Sequence, residues 1–98
     1  MRLGDHFQQI KKKYHNTFFS GICFDHRKIK KNYIFFAIKG NNLDGNNFIP
    51  SVIKKGCKII VTEKNFDEWK NGVLFIKTKN IRKLLAKISF SIFKKKPN

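Results

Sequence analysis

The stretch GICFDHRKIKKNYIFFAIKGNNLDGNNFIP, residues 21–50, decides the fold of this chain. It predicts a short strand, a polar turn, and a strand over residues 33–38 that is buried on both faces. A loop rich in Gly, Asn and Asp follows over residues 39–47, and then a helix with Asn47 as its cap and Pro50 in its first turn. Two apolar strands that hold such a loop rigidly are typical of a binding site.

The segment before this stretch predicts a weak amphipathic helix. Within residues 2–14, apolar side chains recur at spacings of four and three, at Leu3, Phe7 and Ile10. Asp5 near the start of the segment suits the positive end of a helix dipole. We therefore expect a helix here, followed by a connecting loop.

The segment after the stretch predicts two more buried strands. Apolar runs occupy residues 57–61 and 73–76. Phe66 and Trp69 lie three residues apart between these runs, which favours one helical turn that packs an aromatic ring on the core. Gly56 is expected to end the preceding helix in the left-handed conformation.

The last third of the chain predicts its clearest helix. Residues 81–92 repeat apolar side chains at helical spacing, with Asn80 as cap and residues 94–97 closing the end. Strands that alternate with helices predict an α/β fold: a single layered domain with a mixed, mostly parallel sheet flanked by helices. A length of 98 residues allows one such domain and not two.

The charge of the chain is strongly positive. Lys and Arg number 22 against 6 Asp and Glu, a formal net charge of +16. Such a balance favours nucleic acid or an anionic surface as partner. The lysines form scattered clusters rather than a stripe, and the richness in Asn and Ile is typical of an AT-biased genome. We therefore expect non-specific, salt-sensitive polyanion binding, and a small basic nucleic-acid-binding protein stays open as an alternative.

The cysteines and the apolar runs indicate where in the cell the protein is located. Cys23 and Cys57 lie inside apolar runs, which indicates reduced thiols rather than a disulfide or a metal pair. The N-terminal residues lack the apolar core of a signal peptide, and no run approaches the roughly 20 apolar residues that a membrane helix needs. These patterns predict a cytoplasmic protein with no membrane partner.

Motifs for catalysis are missing from the 98 residues. Neither a phosphate-binding P-loop nor a G-x-G-x-x-G fingerprint occurs. His6, His15 and His26 lack the spacing of metal ligands, so we expect no metal site. Asp25 and Asp44 are better placed to cap turns than to form a catalytic pair. We therefore assign no catalytic residue.

A pattern across residues 20–56 does carry a resemblance. S-G-I-x-F-D-x-R, F-x-A-I-K-G, D-G-x-x-F-I-P and V-I-x-x-G follow one another at matched spacing. This pattern resembles the N-terminal domain of the Mur ligases, and the likeness extends over essentially all of residues 1–98. F-I-P followed by V-I-K-K-G favours the tripeptide-synthetase (MurE) type, and the sister type that adds D-Ala-D-Ala stays open.

The resemblance implies which residues bind and which shape the loop. In the family this domain holds the uridine diphosphate (UDP) end of the muropeptide precursor. The matching substrate contacts of this chain are Phe24, His26, Asn41, Asn42 and Leu43. The matching loop-shaping residues are Asp25, Arg27, Gly40, Asp44 and Gly45. His26 stands where the family usually has Ser, so the reach of that contact changes.

The resemblance also implies what the chain does not do alone. Family members use ATP and magnesium to add an amino acid, and the groups that hold them lie in two further domains beyond these 98 residues. We therefore expect no cofactor in this chain and no catalysis by it alone. The expected partner is UDP-N-acetylmuramoyl-dipeptide, bound by a monomer as part of a diaminopimelate or lysine ligase of peptidoglycan biosynthesis. A domain that kept the fold and lost the ligand stays open as an alternative.

Overall fold

Short apolar runs form a five-stranded sheet in the computed structural model, which describes residues 1–95. The strands are β1 (Gly21–Cys23), β2 (Tyr33–Phe36), β3 (Ile59–Thr62), β4 (Trp69–Lys70) and β5 (Val73–Lys77). Their order in the sheet is β1-β2-β3-β5-β4. The first four strands in this order are parallel, and β4 pairs antiparallel with β5. The mixed, mostly parallel sheet predicted from the sequence is confirmed.

Two helices cover opposite faces of the sheet. Helix α1 (Ile49–Lys54) packs with Phe35 and Ile60 on one face, and helix α2 (Ile81–Lys95) packs with Ile34 and Phe36 on the other. Successive residues of β2 therefore enter different cores, because strand side chains alternate between faces. The predicted burial of this apolar run on both faces is confirmed.

The predicted cap of α2 is confirmed. The Asn80 side-chain oxygen accepts a hydrogen bond of 3.1 Å from the backbone N–H of Lys83. The backbone N–H of Ile81, in the first turn of the same helix, donates to the Glu63 carboxylate at 2.8 Å. These bonds satisfy donors that the first turn of a helix leaves without partners. The predicted end of α2 at residues 96 and 97 lies outside the described residues.

Helix α1 differs from prediction at its start. A 3₁₀ turn over Gly45–Phe48 precedes it, and Asp44 rather than Asn47 caps that turn by accepting from the Asn46 N–H. The predicted cap at Asn47 is therefore wrong, because the chain begins to turn three residues earlier, after Asp44. Pro50 does lie in the first turn, and Gly56 has the predicted positive φ, 99°.

The N-terminal segment is not the predicted helix. It forms two short 3₁₀ turns, Leu3–Asp5 and Lys12–Tyr14. The backbone N–H groups of Leu3 and Gly4 donate to carbonyls of residues 17 and 15, both at 2.9 Å. These bonds tie the start of the segment to residues 15 and 17, and the apolar residues of the segment still pack on the core.

Residues 66–69 do not form the predicted helical turn. Trp69 begins β4, and the two residues Asn71 and Gly72, with φ of 53° and 80°, turn the chain into β5. Phe66 stacks on Phe75 with ring centroids 4.6 Å apart. Asn-Gly with two positive φ angles is a strong hairpin signal, and it outweighs the three-residue spacing of the aromatic rings.

Both cysteines are free thiols, as the sequence predicts. Cys57 is buried against the α1 face of the sheet, and this burial raises the pKa of its thiol. Across residues 1–95, no helix is both long enough and apolar enough to cross a membrane.

Candidate functional site

A cleft opens where β1 and β2 end side by side. We call this side of the sheet the carboxyl edge, because the parallel strands all end there. The cleft has a volume of about 480 Å³. It is lined by residues that follow β1, residues of the loop after β2 and the first turns of α2: Phe24, Ile38, Gly40, Leu43, Arg82, Leu85 and Ala86. Ligands of parallel α/β sheets bind at this edge as a rule.

Two exposed apolar side chains and one cation give the cleft its chemistry. Phe24 is 64% exposed and Leu43 is 66% exposed, although both are large apolar residues. Arg82 enters from α2, and its guanidinium donates a hydrogen bond of 3.4 Å to the backbone carbonyl of Lys39. A flat ring can pack on such apolar groups, while a guanidinium binds phosphate oxygens. The arrangement therefore suits a planar, anionic ligand.

The loop over residues 39–47 is closed by short backbone bonds. Lys39 and Asp44 form an antiparallel bridge, and the Gly40 N–H donates to the Leu43 carbonyl at 2.7 Å. Gly45 is buried, and a Cβ there would lie 2.7 Å from the backbone nitrogen of Ile38. The loop therefore lies tightly against the end of β2, and its tip at residues 41–43 is exposed.

A hydrogen-bond network ties this loop to the end of β3. The Asp44 carboxylate accepts from the Asn46 side chain at 2.8 Å and from the Asn46 backbone at 2.9 Å, and these bonds lower the pKa of Asp44. The Asn46 side chain also donates to the Ala37 carbonyl at 3.3 Å and accepts from the Thr62 hydroxyl at 2.6 Å. Loop residues are thus fixed to two adjacent strands, which gives the cleft a rigid wall.

Asp25 and Arg27 form a second local brace, directly after β1. The Arg27 guanidinium donates to both oxygens of Asp25, at 3.1 and 3.0 Å, and the Arg27 N–H donates at 3.0 Å. These bonds lower the pKa of Asp25 to about 2. The brace closes the turn His26–Lys28, which Asp25 caps.

The structure brings together some of the predicted substrate contacts and separates another. Phe24 and Leu43 line the same cleft. His26 does not line it: its ring stacks on Phe48 with centroids 3.7 Å apart, and Phe48 packs against the core on the α1 face. Asn41 and Asn42 are exposed at the loop tip. Substrate contact by any of these residues stays a prediction.

Sequence reasoning missed three residues of this site. Arg82 was not singled out, because nothing in the neighbouring sequence indicates that it joins a cleft with Phe24 and Leu43. Asn46 and Thr62 were likewise not singled out, although Asp44-x-Asn46 has the spacing of an Asx turn. Only the fold shows that all three lie at the carboxyl edge. Within residues 1–95, no three His, Cys, Asp or Glu residues lie close enough to hold a metal ion.

Comparisons with known proteins point to one family. A family model described as "Mur ligase family, catalytic domain" matches residues 19–90. UDP-N-acetylmuramoyl-L-alanyl-D-glutamate–2,6-diaminopimelate ligase of Clostridium tetani is 52% identical over 67 residues, which cover 66% of this chain and 14% of that protein. UDP-N-acetylmuramyl-tripeptide synthetase of Borrelia garinii is 35% identical over 81 residues, covering 81% of this chain and 16% of that protein.

A solved structure shares the fold. MurF from Acinetobacter baumannii superposes with a TM-score of 0.64 and 26% identity, covering 84% of this chain and 17% of that one. The chain thus spans 14–17% of the lengths of these three proteins. A match over most of the chain, supported by named relatives and by the superposition, establishes its family. The chain belongs to the Mur ligase family.

Proposed function

We propose that this chain binds the UDP end of a UDP-N-acetylmuramoyl peptide, as the substrate-holding domain of a peptidoglycan ligase. The observation that carries the proposal is the cleft at the carboxyl edge, where Phe24, Leu43 and Arg82 converge. Phe24 and Leu43 offer apolar surface to the uracil ring, and Arg82 offers a guanidinium to the pyrophosphate. Lys39, the first residue of the loop over residues 39–47, adds positive charge.

The tripeptide-synthetase type is the version of this function that we favour. The relatives that match at 52% and 35% identity carry names of diaminopimelate ligase and tripeptide synthetase. In such a ligase, ATP and magnesium supply the activation of the carboxylate when bound. The part proposed for this chain is to bind and orient the nucleotide end of the precursor.

Binding of UDP by the 98-residue chain tests the proposal. Isothermal titration should show saturable binding of UDP and weaker binding of uridine, which has no phosphates. Arg82→Gln should lower the affinity for UDP by about tenfold, since a hydrogen bond to a charged group contributes roughly 1.5–3 kcal/mol. It should leave the affinity for uridine unchanged. Phe24→Ala should weaken the binding of both ligands.

Two matched controls sharpen this test. Lys83→Gln removes an exposed cation next to Arg82, and Phe90→Ala removes an exposed phenyl ring from α2, and neither residue lines the cleft. Both variants should bind UDP like the parent chain. Absence of saturable UDP binding, or equal losses in the cleft variants and the controls, would refute the proposal.

A further inference from the structure

A second cavity lies at the end of the sheet opposite the cleft, where the parallel strands begin. We call this side the amino edge, because β2, β3 and β5 begin there. The cavity has a volume of about 360 Å³, and Tyr33, Ile59 and Leu74 at the starts of these strands line it. No residue of this cavity lines the cleft at the carboxyl edge. It is therefore separate from the site proposed for UDP.

Aromatic rings form part of the cavity wall. Tyr14 and Trp69 stack with centroids 6.0 Å apart and an interplanar angle of 16°, and both line the cavity. Trp69 is 57% exposed and Phe18, also in the wall, is 59% exposed. Large aromatic surfaces that stay open to solvent next to a cavity are suited to stacking with another flat ring.

Two lysines line the same cavity, and three more adjoin its residues in the sequence. Lys13 and Lys58 line it, and Lys30 and Lys31 directly precede its residue Asn32. Lys70 precedes the turn that contributes Gly72 to the wall. All five lysine side chains are exposed. They come from four separate segments, so their clustering at the amino edge is produced by the fold.

No acidic residue lines the cavity. Asp25, Asp44 and Glu63 follow parallel strands and therefore belong to the carboxyl edge. Asp67 and Glu68 precede β4, whose antiparallel direction places them toward the same edge; Glu68 directly precedes the lining residue Trp69 and forms an ion pair with Lys11 at 3.1 Å. Asp5 is within 3.7 Å of Arg2. The positive charge at the amino edge thus has no carboxylate among the residues lining the cavity.

We propose that the amino edge binds single-stranded nucleic acid, with a base stacked on Trp69 and phosphates on the surrounding lysines. A single strand fits because its bases expose their faces, which stacking requires and a duplex hides. A polymer fits better than a mononucleotide, because five lysines on four segments exceed what one or two phosphates can engage. Aromatic stacking combined with a basic groove is the usual basis of sequence-tolerant binding to single strands.

Trp69 is the single tryptophan of the chain and reports on its own site. Titration with a short oligothymidylate should quench its fluorescence saturably, whereas inorganic polyphosphate should compete for the lysines without quenching. The logarithm of the association constant should fall linearly with the logarithm of the salt concentration, with a slope of about 0.7 per phosphate contact. We call this the salt slope. An abasic oligomer of equal length that binds as tightly as the oligothymidylate would overturn the proposal.

Two double variants distinguish binding at this cavity from binding driven by the net positive charge of the chain. Lys13→Gln/Lys58→Gln should reduce the salt slope by about 1.4, the share of two phosphate contacts. Lys83→Gln/Lys87→Gln removes the same charge from the exposed side of α2 and should leave the slope unchanged. Equal reductions in both double variants would show that net charge alone drives binding, and would overturn the proposal.

A third variant tests the stacking itself. Trp69→Leu should weaken binding of a labelled oligothymidylate at least about fivefold, measured by anisotropy, since stacking on an aromatic side chain contributes substantially per base. Phe90→Leu, an exposed ring on α2, should have no effect. Circular dichroism verifies that both variants fold. UDP should neither quench Trp69 nor displace the oligomer; if it does both, the cavity is a mononucleotide site and the polymer proposal fails.

Discussion

Gly45 lies where the loop after β2 crosses the backbone of Ile38. Its N–H donates to the Ile38 carbonyl at 2.8 Å, and a Cβ there would approach the Ile38 nitrogen to 2.7 Å. The atoms in the way are backbone atoms, so the loop itself would have to move. A hydrogen at this position is what allows the loop to close.

Gly45→Ala should therefore destabilise the chain by roughly 1–3 kcal/mol, the usual cost of forcing an added methyl into a packed site. Urea unfolding measures this difference. Gly40→Ala is the matched control, because its Cβ would meet one loop carbonyl at 3.3 Å and the exposed tip can shift. If the two variants proved equally stable, the tight crossing at Gly45 would be disproved.

The Asp25 carboxyl group, a single residue like Gly45, permits a prediction of how the stability of the chain depends on pH. Hydrogen bonds from Arg27 lower its pKa from 3.8 to about 2 in the folded chain. A depressed folded-state pKa contributes stability above the unfolded value, and this contribution is lost as the pH falls from about 4 through 2. NMR titration of the carboxyl carbon should show the low pKa, and Arg27→Gln should return it toward 3.8. Arg2→Gln should leave the pKa of Asp25 unchanged.

At the scale of elements, the hairpin of β4 and β5 fixes the aromatic wall of the amino edge. Its two-residue turn needs positive φ at both Asn71 and Gly72, 53° and 80°. Trp69 pairs with Leu74 through this hairpin, and so comes to stack on Tyr14. The turn therefore controls both the edge of the sheet and the position of the exposed ring.

Gly72→Ala should destabilise the chain by about 1 kcal/mol, because a side chain in the left-handed region costs roughly 1–2 kcal/mol. An added Cβ there has no heavy atom within 4 Å, so any loss reflects backbone conformation rather than a clash. Asn71→Gly should change the stability far less, since Gly adopts positive φ readily. Thermal unfolding followed by Trp69 fluorescence measures the stability of both variants. An unchanged stability of Gly72→Ala would contradict the requirement for positive φ at this position.

At the scale of the whole molecule, the acidic residues are distributed unevenly between the two ends of the strands. A net charge of +16 on 98 residues implies self-repulsion in the folded chain. Basic residues occur at both ends of the parallel strands, whereas half of the six acidic residues follow strand ends. Opposite edges of one sheet therefore offer different environments to ligands.

Sodium chloride should raise the thermal midpoint of the chain, because the Debye length falls to about 10 Å at 0.1 M salt and screens this repulsion. Relief of about 1 kcal/mol would raise the midpoint by roughly 4–8 °C in a domain of this size. Lys30→Gln/Lys31→Gln should show a smaller response to salt. A midpoint that falls or stays constant with added salt would contradict the prediction.

Much of the fold follows from local patterns in the chain. The apolar run at β2 predicts its burial, Asn80 predicts the start of α2, and Gly56 predicts the end of α1. The helix expected at residues 2–14 does not form, because Leu3 and Gly4 donate to carbonyls fourteen and eleven residues later, and the periodicity of apolar residues cannot predict such contacts. The helical turn expected at residues 66–69 does not form, because Asn71 and Gly72 turn the chain into a hairpin that makes Trp69 the start of a strand.

By itself, the sequence determined the α/β class, the family and the loop at residues 39–47, since these depend on residue type and spacing along the chain. Only the tertiary structure decided that Arg82 joins Phe24 and Leu43 in a cleft and that His26 packs on Phe48 instead. It also decided that four distant segments gather lysines and aromatic rings at the amino edge. The physical reason is that parallel strands bring residues far apart in sequence to one edge, and no local pattern encodes which of them will meet.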